Sequence, residues 1–118
     1  PNLVRVKAND PDAVIDVTGR ALALLPHPTK AVKEIATLDG VGPATASAVT
    51  ATAAPHVTPF FDEDVAAQMP ALGPVTWTLG YYAKYADALR RRADALGAGW
   101  TAAMVERALW SNFRLRTD

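Results

Sequence analysis

The chain has 118 residues, half of them apolar, and its 12 lysines and arginines balance its 12 aspartates and glutamates. That length suits one domain burying roughly two-thirds of its extended surface, and the apolar share excludes an intrinsically disordered chain. Zero net charge counts against strong non-specific nucleic-acid binding, the lack of cysteine excludes a thiolate zinc site, and no apolar run approaches membrane-spanning length. No signal-peptide pattern is present, so a soluble cytoplasmic or nuclear protein without a membrane partner is the default expectation.

Alanine is abundant and β-branched alternation scarce, which predicts an all-α domain over residues 1–118, a compact bundle of about six helices. Leu3 to Lys7 is short and reads as a helical turn. Asp10-Pro11 is a helix start, with aspartate as N-cap and proline as first residue. Val14, Val17, Ala21 and Leu24 then recur at helical spacing as one buried face of a helix from about Pro11 to Leu25. Pro26-His27-Pro28 ends it, and Pro28 opens a helix whose Ala31, Val32 and Ile35 face inward.

Leu38-Asp39-Gly40-Val41-Gly42-Pro43 follows. Its two glycines permit a tight reversal. Val41 can turn inward, Gly42 can serve as N-cap, and Pro43 as first helical residue. The helix from Pro43 to about Ala54 is built from small residues. Ala44, Ala48 and Ala51 permit close approach by another helix, which predicts a central position. After Pro55, an apolar loop with Phe60 and Phe61 as anchors leads to Asp62-Glu63-Asp64 and a short helix over about 62–69. A long helix is predicted over about 78–96, with Tyr82, Tyr85, Ala86, Leu89, Ala93 and Leu96 as its stripe. Gly97 and Gly99 close it, and Thr101 caps a last helix over about 101–114 carrying Val105, Ala108, Leu109 and Trp110.

Taken together, Leu38-Asp39-Gly40-Val41-Gly42, Thr45-Ala46, the loop Pro55 to Phe61, then Asp62 and Val65 carry a resemblance. This stretch resembles the helix-hairpin-helix superfamily of base-excision DNA glycosylases, endonuclease III among them, as a divergent and degenerate member, with the hairpin unit over about 28–54. The resemblance implies DNA repair: a DNA phosphate bound by backbone amides at Gly40, Val41, Gly42, Ala44 and Thr45, and a monovalent cation shared between hairpin and phosphate. No other cofactor and no metal site is implied. It places the catalytic carboxylate at Asp62, where an anion would stabilise an oxocarbenium-like transition state. The nucleophilic lysine of bifunctional relatives would stand at Ala44, so only a monofunctional N-glycosylase with water as nucleophile would remain. Glycosylases also carry more sequence before the hairpin than the 37 residues here, which suggests a piece of a longer chain.

Each candidate has a structural alternative. The turn can be a tight helix connection with no ligand. Asp62 can be a helix N-cap, and Glu63 and Asp64 beside it repel phosphate. Trp77, Tyr81, Tyr82 and Trp100 can line a pocket for a flipped base or simply pack. Arg90-Arg91-Arg92 can track a phosphate backbone as a basic patch, or pair with Asp87 and Asp94 at i,i+4 spacing. His27 and His56 read as solvated loop residues. Two functions follow: weak, salt-sensitive DNA binding by a glycosylase-like domain, or a non-catalytic module for a protein partner or self-association.

Overall fold

A computed structural model describes residues 2–117. Among these residues seven α-helices run α1 Asn2–Lys7, α2 Pro11–Ala23, α3 Pro28–Ile35, α4 Pro43–Ala53, α5 Glu63–Ala66, α6 Leu79–Leu96 and α7 Ala102–Thr117, with a 3-10 turn at Pro70–Leu72. There is no strand among the described residues. The starts obey local chemistry. The Asp10 carboxylate accepts from the Asp12 amide, and the hydroxyls of Thr78 and Thr101 accept from the amides of Tyr81 and Met104. Gly97 ends α6 at a φ of 111°, a conformation open to glycine.

Helix α3 is the hub. It packs against α2, α4 and α6, while α7 closes on α6 and α5. Val32, Ile35, Phe61, Val65, Tyr82, Tyr85 and Leu89 form the centre of the core. Three phenols inside it are anchored to main chain: Tyr82 Oη donates to the Pro59 carbonyl at 2.9 Å, Tyr85 Oη to Phe60 at 2.6 Å and Tyr81 Oη to Gly73 at 3.0 Å. Long helix α6 thereby holds the loop before α5 and the turn at Gly73.

Several expectations need correction. Val14 is exposed, so the buried face of α2 narrows to Val17 and Ala21; Leu96 is exposed too, at the frayed end of the α6 stripe. Ala108 and Trp110 also face outward on α7. The acidic helix is a single turn, Glu63–Ala66, because Pro70 starts a separate 3-10 turn. In α4 the buried residues are Ala46, Ser47 and Thr50, whereas Ala44, Ala48 and Ala51 are half-buried. The buried polar pair explains this choice. Ser47 Oγ donates to the Ala44 carbonyl and accepts the Phe61 amide at 2.8 Å, so the side that binds the returning loop goes inward.

Helix α1 does something no local pattern announces. Asn9 hydrogen-bonds Asp39 in both directions, Nδ2 to the Asp39 carbonyl at 2.9 Å and the Asp39 amide to Oδ1 at 3.0 Å. The same Nδ2 holds the Val6 carbonyl at 2.9 Å, closing α1 against the turn. Gly40 lies beneath it at a φ of 77°, and a Cβ there would stand 2.8 Å from the Asn2 carbonyl oxygen. Gly40→Ala is therefore expected to cost about 2 kcal/mol from left-handed strain and displacement of α1. Urea unfolding checks the loss. Amide shifts confined to residues 2–9 and 38–42 check its location.

Candidate nucleic-acid interface and carboxylate cleft

The turn between α3 and α4 has a covered side and an open side. On the covered side, Gly40 sits under α1, and the Val41 amide is spent on the Leu38 carbonyl at 3.2 Å. Val41 itself packs against the core, as its place between two glycines implies. On the open side, Gly42 is the N-cap of α4, exposed and extended at a φ of −93°, with no side chain capping the helix. Pro43 brings no N–H. The amides of Gly42, Ala44 and Thr45 make no hydrogen bond among the described residues. A Cβ at Gly42 would meet nothing within 4 Å. Uncapped amides at a helix start carry the positive end of the helix dipole and suit an anion. Of the five hairpin residues singled out from sequence, Gly42, Ala44 and Thr45 present free amides to that space, while Gly40 and Val41 shape the turn. The carbonyls of Gly40 and Val41 have no partner among the described residues.

Asp62 caps α5. One carboxylate oxygen, Oδ1, accepts from the Asp64 amide at 2.8 Å and the Val65 amide at 3.2 Å. The side chain is half-buried, and its backbone amide donates to Tyr85 Oη at 3.4 Å. The link from Ser47 to Phe61 fixes the loop end against the second turn of α4, one residue before Asp62. Asp62 and the open start of α4 are thus held by one polar buckle.

The aromatic candidates separate. Phe61 meets Trp77 at 4.8 Å between centroids, Tyr85 at 5.3 Å, Tyr82 at 5.5 Å and Tyr81 at 5.8 Å. Trp77, Tyr81 and Tyr82 therefore pack around the residue preceding Asp62, and burial pushes the Tyr82 and Tyr85 phenols well above their usual range. Trp100 lies elsewhere. It shares a 560 Å³ groove with His27, His56 and Arg90, two loop histidines that sequence distance kept apart. Two of the three arginines of the basic run pair with their own helix: Arg90 binds Asp87 at 2.7 Å and Asp94 at 3.1 Å, and Arg91 binds Asp87 at 2.9 Å, whereas Arg92 is exposed and makes no ion pair among the described residues. The bond from Arg90 holds the Asp87 carboxyl below its usual range.

Glu106 is the residue that sequence reading passed over. It is 7% exposed on α7 and lines a 350 Å³ cleft between α4 and α7. Its signal was present: Ala102, Glu106 and Leu109 follow helical spacing, putting a carboxyl inside an apolar stripe. Burial, then the nearby negative charge of Asp62, pushes the Glu106 carboxyl up to about 7, opposed by Arg107. The folded chain thus holds a proton that the unfolded chain releases near pH 4.5. This contribution is neutral below both values, and stability falls as pH rises from about 4.5 through 7. Relative to Glu106→Gln, the wild-type chain is expected to lose stability between pH 5 and pH 8, by about 1–2 kcal/mol once solvent screening of a partly accessible carboxyl is counted, measurable by urea unfolding across that range.

No group of three or more histidine, cysteine, aspartate or glutamate side chains among the described residues could hold a metal ion. Among the described residues, no helix is long and apolar enough to cross a membrane. Compared with family models, curated proteins and solved structures, the chain finds no match.

Proposed function

We propose that this domain holds double-stranded DNA weakly through one backbone phosphate seated on the Gly42, Ala44 and Thr45 amides. The observation that carries this reading is the contrast among helix starts. Helices α2, α5, α6 and α7 are capped by Asp10, Asp62, Thr78 and Thr101, while α3 and α4 both open on proline without a side-chain cap; of these two, α4 begins at an exposed glycine with open space around it and is braced from behind by Asn9 and α1. Arg5 of α1 is exposed, with its Cβ against Gly40, and adds a cation to the neighbourhood of the turn. A monovalent cation on the Gly40 and Val41 carbonyls would neutralise part of the phosphate charge. Asp62 serves here as a cap. With one oxygen taken by two amides, it is better suited to holding a loop than to assisting base release, and base release, if it occurs, is monofunctional.

Fluorescence anisotropy with a labelled duplex tests the reading. Binding is expected at low salt, with log affinity falling against log salt at a slope of about −1 to −3, as befits few phosphate contacts. Absence of binding at 20–50 mM salt sinks it.

A second reading has its own observation. Leu3, Val4 and Ile15 are 66%, 74% and 68% exposed on α1 and α2, which suits a protein partner or self-association. Light scattering giving a dimer, with indifference to DNA, would favour it.

A further inference from the structure

We propose that the cleft between α4 and α7 is a binding site for a slender organic cation, an alkylammonium or alkylguanidinium group, with the Glu106 carboxylate as its counter-ion. The proposal goes beyond DNA binding and does not depend on it. Glu106 is more than nine-tenths buried, and its carboxyl makes no hydrogen bond and no ion pair among the described residues. No fully buried side-chain oxygen in the described chain lacks a partner, so the unpaired carboxyl oxygens of Glu106 reach the space of the cleft. A carboxyl in that position is costly to ionise alone and gains most from an incoming positive charge.

The walls select the shape. Ala48 and Ala51 of α4 and Ala103 of α7 leave a channel with short side chains, suited to an aliphatic stem, and Phe60 offers an aromatic wall to a cation. The whole space is 350 Å³, room for a small ligand and not for a folded segment. Ala48 and Ala51 therefore line a cleft, where sequence spacing suggested a seat for another helix.

The charges around Glu106 are few. Asp62, in the loop before α5, lies near enough to add negative potential. Tyr85 of α6 is a neutral phenol. Arg107 on α7 is the one opposing cation, and its Nε is tied to the Ala103 carbonyl at 3.3 Å. Helix α4 contributes no titratable group to the cleft. Glu106 and Arg107 are the charged residues of the lining, and Asp62, outside it, adds negative potential, so the Glu106 carboxylate is the group a cation would pair with once it gives up its proton. A cation must displace that proton, so binding strengthens as pH rises. With a carboxyl titrating near 7, the ionised share grows from about one in eleven at pH 6 to about ten in eleven at pH 8, close to tenfold.

The test is an amide chemical-shift titration of the full chain with n-propylguanidinium and n-butylammonium, beside the neutral n-butanol. Millimolar binding is expected, with shifts at Ala48, Ala51 and Ala103, about tenfold tighter at pH 8 than at pH 6. Glu106→Gln is expected to abolish both the affinity and its pH dependence while keeping the dispersed spectrum of the fold. Equal binding of n-butanol, affinity that weakens with rising pH, undiminished binding by Glu106→Gln, or no cleft shifts at 20 mM ligand would each overturn the proposal. The wild-type pH series and the neutral comparison decide it even if the variant fails to fold. A failed cation titration beside successful duplex binding removes the cleft alone.

Discussion

Replacing Phe61 with alanine is expected to lower the unfolding free energy by about 3–5 kcal/mol, the range for removing a buried aromatic ring from a core. The ring is 1% exposed and meets four other aromatic side chains, so truncation leaves a cavity that α6 cannot collapse into without moving its phenols. Those phenols are pinned to the Pro59 and Phe60 carbonyls by Tyr82 and Tyr85. Collapse would therefore break hydrogen bonds whose partners are buried, and the cost lands at the top of the range. Phe61→Leu keeps most of the volume and is expected to lose about half as much. Urea unfolding of the three proteins measures this. A loss under 1 kcal/mol for Phe61→Ala would show that the aromatic cluster is not the core's centre. The loss also reaches the site, since the Phe61 amide is held by Ser47 and Asp62 follows directly.

Much of the architecture lay in short-range chemistry. Asp10-Pro11, Gly42-Pro43, Thr78, Gly97 and Thr101 each set a helix end by sterics or a local hydrogen bond, and each end falls within a residue or two of its reading. The features that escaped are long-range. Asn9 reaches thirty residues along the chain to Asp39, and nothing in an exposed asparagine after a short helix says that it will brace a turn. The inner face of α4 was misread because size was taken as the guide. Ser47 and Thr50 can go inward because carbonyls of their own helix satisfy their hydroxyls, and Ser47 is drawn there by the Phe61 amide it serves. Glu106 was missed for a related reason. A glutamate in an alanine-rich helix looks solvated until the stripe that contains it is traced against its neighbours. The arginine run was the easier case, since i,i+4 spacing alone identifies Asp87 and Asp94 as its partners.

The open start of α4 can be set against itself by one substitution. Gly42→Asp places a carboxylate at an N-cap whose φ of −93° and ψ of −179° already suit it, in space where a Cβ meets nothing. The new oxygen accepts from the Ala44 or Thr45 amide, and aspartate caps better than glycine by a few tenths of a kcal/mol, with a further gain from the helix dipole. Stability is expected to hold or rise by about 0.5 kcal/mol. The same change occupies the amides on which a phosphate would sit and adds a negative charge there, so duplex affinity at low salt is expected to fall at least tenfold. Gly42→Asn separates the two effects: it takes the amides without the charge, and should weaken binding by a smaller factor and leave the salt slope unchanged. Urea unfolding and anisotropy on the three proteins give both readouts. Undiminished DNA binding by Gly42→Asp would mean that the phosphate seat lies elsewhere, whereas parallel losses of stability and binding would mean that Gly42 is needed for the turn itself. Only a stabler helix with a weaker grip on DNA supports the view that α4 forgoes a capping side chain to keep its amides free for a ligand.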